Sequence, residues 1–358
     1  MKDTDYPPVF LTLWIVAGGC ALVAIILSFY LIYKHLRNYT NPDLQKYIVR
    51  ILFMVPIYSV DSWLSLRFIS ISLYLDVIRD TYEAYVLYCF FNLIVAVIEK
   101  EHDIVELLHS KEPMSHPFPL HCLPKIKLGR GFLQNCKRYV LQFVFVKPIV
   151  SIISLVLETV GKYGEGQFTP TKGYMWLTIV ENISVSLSLY FLVLYYQAMK
   201  DDLKPFKPLG KFLCIKSIIF FSFWQGIAIS LLVQINIITP IGDWSVTYIS
   251  TYYQDFITCI EMLIISMFHH KFFTYHEYRD PNKVPFLYNR NTKKFFSNPS
   301  TNIKPVIMNF FTNVKSISSD VITDTKETFI LPLISPDSKK IKDEEHNLLN
   351  VEEGDVII

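Results

Sequence analysis

The sequence predicts an all-α membrane protein: a seven-transmembrane-helix bundle with its N-terminus outside or lumenal and its C-terminus in the cytosol. Three observations predict it. Of the 358 residues, 51% are hydrophobic and only 18% charged, and the mean hydropathy is +0.31. Soluble domains carry roughly 25% charged residues. A chain bathed in lipid needs an apolar exterior as well as an apolar core. Seven runs approach the ~20 apolar residues that one helical crossing needs. The loops between them alternate in Lys and Arg content.

The first span, Val9–Tyr33, is uncharged. Its apolar core is too long for a cleaved signal peptide, and basic residues follow rather than precede it. The second, Tyr47–Leu66, contains Arg50, Pro56 and Asp61. The third, Thr81–Ile98, contains Glu83 and Asn92; the stretch Arg67–Asp80 before it is itself half apolar. The fourth, Tyr139–Leu157, carries Lys147 and Pro148 near its middle. The fifth is Tyr174–Tyr196 with Glu181, the sixth Phe212–Ile235 with Lys216 and Gln225, and the seventh Tyr248–His270 with Asp255 and Glu261.

Basic residues should concentrate in cytosolic loops. Lys34, Arg37 and Lys46 follow the first span. The loop after the third holds Lys100, Lys111, Lys125, Lys127, Arg130, Lys137 and Arg138. Lys200, Lys204, Lys207 and Lys211 follow the fifth span, and Lys271, Arg279, Lys283 and Arg290 follow the seventh. The opposite side holds only Lys2, Arg67, Arg79, Lys162 and Lys172. On this topology neither Asn38-Tyr-Thr40 nor Asn182-Ile-Ser184 is glycosylated, one lying in a cytosolic loop and the other within a span.

The chain divides into a membrane domain, residues 1–278, and a mostly disordered cytosolic tail, 279–358, rich in Ser, Asn, Asp, Lys and Pro. The loop Glu99–Arg138 begins "IEKEHDIVELLHSKE", an amphipathic continuation of the third span, and is then broken by Pro113, Pro117, Pro119 and Pro124. Cys122 and Cys136 stand there beside basic residues as candidate acylation sites. Free thiols are the competing reading. In the tail, Glu344, Leu348 and Leu349 form a candidate acidic dileucine sorting signal for cargo adaptors.

The net charge of +2 gives no basic field for nucleic acid. The six cysteines show no metal spacing and no Cys-x-x-Cys, so no metal or cofactor is expected. No G-x-x-x-x-G-K-[ST] loop is present for ATP, and no H-E-x-x-H or paired Asp motif for an intramembrane enzyme.

An ionisable residue at bilayer depth costs about 2.5–3.5 kcal/mol on insertion scales, so it faces the bundle interior, pairs, or lines a water path. Lys147 lies roughly 15 Å from the outer end of its span at ~1.5 Å per residue. Lys147, Ser151 and Ser154 share one helical face, as do Glu181, Ser184 and Ser188, and Thr251, Gln254, Thr258 and Glu261. Lys147, Glu181, Gln225, Asp255 and Glu261 are therefore the candidate solute or ion path, with Glu181 and Glu261 the expected partners of Lys147. Phe143, Phe223 and Trp224, with Phe145 and Phe221, are candidate cavity walls. A purely structural ion-pair network is the competing reading of the same charges.

Several long segments in order carry a family resemblance. They include "VRILFMVPIYSVDSWLSL" (49–66), "RDTYEAYVLYCFFNLI" (79–94), "NCKRYVLQFVFVKPIVSII" (135–153), "LKPFKPLGKFLCIKSIIFFSFWQG" (203–226) and "QDFITCIEMLIISMFHHKFFTYHEY" (254–278). With them the chain resembles the organic solute transporter alpha / transmembrane protein 184 family from about Ile48 to Tyr278. The resemblance implies a seven-helix transporter of amphipathic organic solutes or anions, facilitative rather than ATP-driven. It also implies a small organic solute and a single-span beta-type subunit or homo-oligomer as partners, in the plasma membrane or an endosomal or vacuolar membrane. Two departures stand out: "IEKEHDIVE" replaces a Gly-Gly-Glu-like turn, and the loop cysteines are sparse. A lipidated cysteine row and a bile-acid substrate are therefore not carried over. The alternative function is a seven-helix receptor or vesicle-trafficking factor. No D/E-R-Y or N-P-x-x-Y supports the receptor, whereas the dileucine signal and the tail suit trafficking.

Overall fold

In the computed structural model, the residues described are 8–117, 122–164, 169–241, 244, 246–279 and 304–330. Among them the chain is helical, with two isolated β-bridges, Met114–Ile126 and Ile241–Trp244. The long helices are α1 (Pro8–Arg37), α2 (Pro42–Leu52), α3 (Met54–Arg67) and α4 (Ile69–Glu99). A short α5 (Ile104–His109) precedes α6 (Arg130–Thr159), α7 (Gly173–Ala198), α8 (Lys200–Leu203), α9 (Pro208–Gln234), α10 (Val246–Phe272) and α11 (His276–Arg279). Among the described residues six stretches are long and apolar enough to cross a membrane: Pro8–Arg37, Pro42–Arg67, Ile71–Glu99, Arg130–Thr159, Gly173–Ala198 and Tyr248–Tyr278. The 27-residue α9 is a further long helix, and several of its side chains fall outside the described set.

α1 shows how a lipid-facing helix docks. Phe10, Ala17, Ala21, Ala24, Ser28, Leu31 and His35 are buried at alternating three- and four-residue spacing. Val9, Ile15, Val16, Leu22, Ile26 and Phe29 on the other faces are exposed. The small residues of the buried stripe let neighbouring backbones approach, which is how helices associate where lipid is as apolar as protein. α1 packs there on α3 and α10. A Cβ at Gly18 would lie 2.7 Å from Nε1 of Trp63, so only glycine fits against that indole. Trp63 also stacks on Trp14, with centroids 5.0 Å apart.

The second span is divided. α2 ends at Leu52 and α3 begins at Met54, with Phe53 between them. Pro56 has no N–H to give the carbonyl of Leu52, and its ring crowds that turn. The third span corrects the expected boundary. α4 starts at Ile69, not near Thr81, and one residue, Phe68, separates it from α3. The charges of Arg67–Asp80 look like loop charges in the sequence. Folded, Asp76 and Arg79 satisfy one another at i, i+3, and the helix continues through them. The fourth span likewise begins earlier, at Arg130, and runs through Pro148.

The loop after α4 also differs from expectation. The helix does not continue through "IEKEHDIVELLHSKE". Asp103 accepts hydrogen bonds from the N–H groups of Val105 (2.8 Å) and Glu106 (3.3 Å) and starts the separate helix α5.

α6 packs on α7 and α4; α4 on α2, α3 and α9; α10 on α1, α3 and α9. Two ends of this bundle are defined by contacts. At one, Phe10 stacks on Trp244 and packs at a tilt against Tyr252, whose hydroxyl donates to the Phe10 carbonyl. At the other, His35 Nε2 meets the Phe273 carbonyl at 2.8 Å and Thr40 donates to the Tyr278 carbonyl at 2.9 Å. Gln45 joins the turn after α1, donating to the carbonyls of His35 and Asn38 and accepting from the Asn41 N–H.

This compact unit runs to Asn309 and includes the start of a helix, α12 (Lys304–Thr325). The remainder, from Phe310, is a unit of its own, in which α12 continues and ends in a π-helical turn, Lys326–Ile330. Within the tail expected to be mostly disordered, the described residues 304–330 are helical. Glu344, Leu348 and Leu349 lie outside the described residues.

Candidate functional site

The charged side chains of the membrane helices gather at one level. α4 supplies Asp76, Arg79, Asp80 and Glu83, spaced i, i+3, i+4, i+7 and so on one face. Asp61 comes from α3, Lys147 from α6, Glu181 from α7 and Asp255 from α10. Each lies between six and fourteen residues from the helix end nearest the Phe10–Tyr252 cluster. At ~1.5 Å rise per residue the layer sits roughly 9–21 Å below that end.

The pairing is continuous. Arg79 Nη1 donates to Asp61 Oδ2 at 2.7 Å, and Nη2 lies 2.5 Å from Asp76 Oδ1. Arg79 Nε stands 4.0 Å from Asp80, whose other oxygen is 3.1 Å from Lys147 Nζ. Lys147 also donates to Glu181. Tyr58 donates to Glu83 at 3.0 Å, and Glu83 lies within electrostatic reach of Lys147 and of Lys216 on α9. The layer thus joins α3, α4, α6 and α7 by direct ion pairs.

The count of charges is unequal. Asp61, Asp76, Asp80, Glu83, Glu181 and Asp255 make six carboxyls against the three cations Arg79, Lys147 and Lys216. Arg79 is shared by three carboxylates and Lys147 by two. Asp61 Oδ1 is buried without a hydrogen-bond partner. Asp255 is 8% exposed and faces Arg79, Asp76 and Asp61 electrostatically, with no hydrogen bond or ion pair among the described residues.

Of the residues singled out in the sequence, Lys147, Glu181 and Asp255 fall in this layer. Glu261 does not pair with Lys147. It accepts from Gln225 of α9, about two turns along α10 from Asp255. Asp76, Arg79 and Asp80 stand ahead of the apolar run of the third span and so escape a hydropathy reading; their i, i+3, i+4 spacing ahead of Glu83 is the available signal.

The expected aromatic wall does not assemble. Phe143 is buried, while Phe145, Phe221 and Trp224 are 40%, 42% and 52% exposed on the outside of the bundle. Successive helical residues turn by ~100°, so Phe143 and Phe145 face nearly opposite ways. The side chain of Phe223 lies outside the described set. The serines beside the charges are buried: Ser151, Ser154, Ser184 and Ser188. Ser184 and Gln142 bond reciprocally at 2.8 Å and tie α7 to α6.

A cleft of about 380 Å³ opens between α1, α3 and α4. Its lining includes Phe29, Phe53, Pro56, Val60 and Ile78, with Asp61 the one ionisable residue. Cys122 is exposed in the loop between α5 and α6, whereas Cys136 is fully buried on α6.

A family model for organic solute transporter Ostalpha matches residues 13–278. The chain belongs to the organic solute transporter Ostalpha family. It is 38% identical over 276 residues to a transmembrane protein 184 homolog of Dictyostelium discoideum, covering 76% of this chain and 54% of that protein. The chain therefore spans about half the length of this curated relative. No solved structure matches. The Ostalpha match ends at Tyr278, the buried penultimate residue of α11, and encloses the whole charged layer. With its apolar helices, membership of this transporter family makes the chain a multi-pass integral membrane protein.

Proposed function

We propose that the chain is a seven-helix transporter of amphipathic organic solutes, driven by solute or ion gradients rather than ATP. In this reading α9 is the remaining crossing, the Phe10–Tyr252 end is outside or lumenal, and the basic loops face the cytosol. The observation that carries the reading is the charged layer itself. A bundle held together only for stability gains little from buried ion pairs, which apolar residues of like volume replace without loss. Charges kept at bilayer depth mark substrate or ion pathways.

The apolar cleft beside Asp61 is the place offered to the solute's apolar body. Lys147 is already engaged by Asp80 and Glu181, so its role is to hold α4, α6 and α7 together around the path rather than to meet an anion by itself. The test is flux in reconstituted vesicles with a panel of steroid sulfates and other amphipathic solutes. Val60→Trp fills the cleft from a half-exposed position on α3. It is expected to lower flux several-fold without altering the thermal melt. Unchanged flux of every transported member of the panel would remove the cleft from the pathway.

A further inference from the structure

Three carboxyls in excess of cations cannot all stay ionised in a layer walled by apolar helices. An unpaired carboxylate in a low-dielectric site takes a proton instead. Two side chains are poised for this. Asp61, 5% exposed, offers a buried oxygen without a partner. Asp255, 8% exposed, faces it across Arg79 with no hydrogen bond or ion pair among the described residues. We propose that Asp255 and Asp61 form an exchangeable proton site, loaded from one side of the membrane and emptied to the other as the bundle changes conformation.

The surroundings favour a proton over a larger cation. Among the described residues no three His, Cys, Asp or Glu side chains are arranged to hold a metal ion. The titratable groups facing Asp255 come from α3, α4 and α10 itself. α3 contributes Asp61, and α4 contributes Asp76 and Arg79. Cys259 on α10 itself lies near Asp255, Asp61 and Cys20 of α1. From α9, Lys216 faces Glu83 and Lys147, and Gln225 occupies Glu261. Among the described residues Arg79 is the cation facing both members of the pair, and Asp76 and Asp80 already compete for it. The chemistry is simple: one carboxylate gains a proton from water to become a neutral acid, then returns it. Neutralising Asp255 also frees α10 from electrostatic engagement with α4, which gives the proton a mechanical consequence.

The coupling of this proton to a solute rests on the transporter reading; the proton site does not. The full chain in lipid nanodiscs is examined by infrared spectroscopy across a pH series, with and without sodium. The expected result is a protonated-carboxyl C=O stretch at neutral pH that is lost on alkalinisation and is weaker in Asp255→Asn. Asp61→Asn, the second variant, moves the same loss to lower pH, because it removes the like charge that favours the neutral acid. A wild-type spectrum without that band overturns the site, as does a band unchanged in both variants or one that responds to sodium instead of pH. In proteoliposomes, an imposed pH gradient should change uptake of a steroid sulfate several-fold in the wild type and not in Asp255→Asn. Gradient-independent uptake overturns the coupling while leaving transport intact. Absence of any uptake by the wild type counts against the transporter reading alone, and the infrared result still decides the proton site.

Discussion

At the scale of single residues, Lys147 is the instructive case. In the sequence it is a cation in the middle of an apolar span. In the fold it is the link between Asp80 and Glu181. Removing one partner of a buried pair leaves an uncompensated charge and costs about 3–5 kcal/mol. Lys147→Ala should therefore lower the thermal midpoint sharply, measured on protein in lipid, because two carboxylates lose their cation. Adding Glu181→Gln should recover part of that loss. Additive loss in the double variant would show that the pair is not coupled. Lys147 and Glu181 were visible in the sequence because each interrupts an otherwise apolar run. Asp80 and Arg79 were not, since charges at the edge of a run read as its end. Which carboxylate Lys147 selects depends on the rotation of α4 against α6, and no local pattern encodes that.

At the scale of elements, two contacts make separate predictions. Gly18 lets α1 lie against the Trp63 indole. Gly18→Ala overpacks this contact and should destabilise the α1–α3 packing by about 1–3 kcal/mol, seen as a lower thermal midpoint. The same substitution at Gly19, which meets nothing within 4 Å, should leave the midpoint unchanged. Asp103 caps α5. Asp103→Ala should cost the cap about 1 kcal/mol and raise hydrogen exchange across 104–109 without changing exchange in α6. Helix identity was legible from hydropathy, but ends were not. α4 and α6 begin about twelve and nine residues earlier than the apolar runs suggest. Polar residues that pair with one another extend a helix as well as apolar ones do, yet they end a hydropathy peak.

At the scale of the whole molecule, the proposed sidedness has a direct readout. Cys122 is exposed and Cys136 is buried at the start of α6. A membrane-impermeant maleimide should label Cys122, and Cys122→Ser should abolish labelling of that loop. In sealed cells the label should be blocked, and in inside-out vesicles it should react. Reaction in sealed cells would invert the topology. The label separates the two cysteines in another way as well, because the Cys136 sulfur is enclosed by α6 and its neighbours.

The sequence by itself determined that this chain is a multi-pass helical membrane protein, where its apolar helices lie, and which family it joins. These follow from the bilayer, which tolerates only long apolar helices and so writes a signal into every span. It also marked Lys147, Glu181 and Asp255, because an ionisable group in lipid is conspicuous. Only the tertiary structure decided how these charges are divided. It placed Arg79 and Asp80 inside the bundle, took Glu261 to Gln225 instead of Lys147, and turned Phe145 and Trp224 outward. It also left Asp61 and Asp255 without enough cation to share. Hydropathy reports the solvent of each helix, which is a local property. Pairing reports the azimuth of one helix against the next, which exists only once the helices have packed.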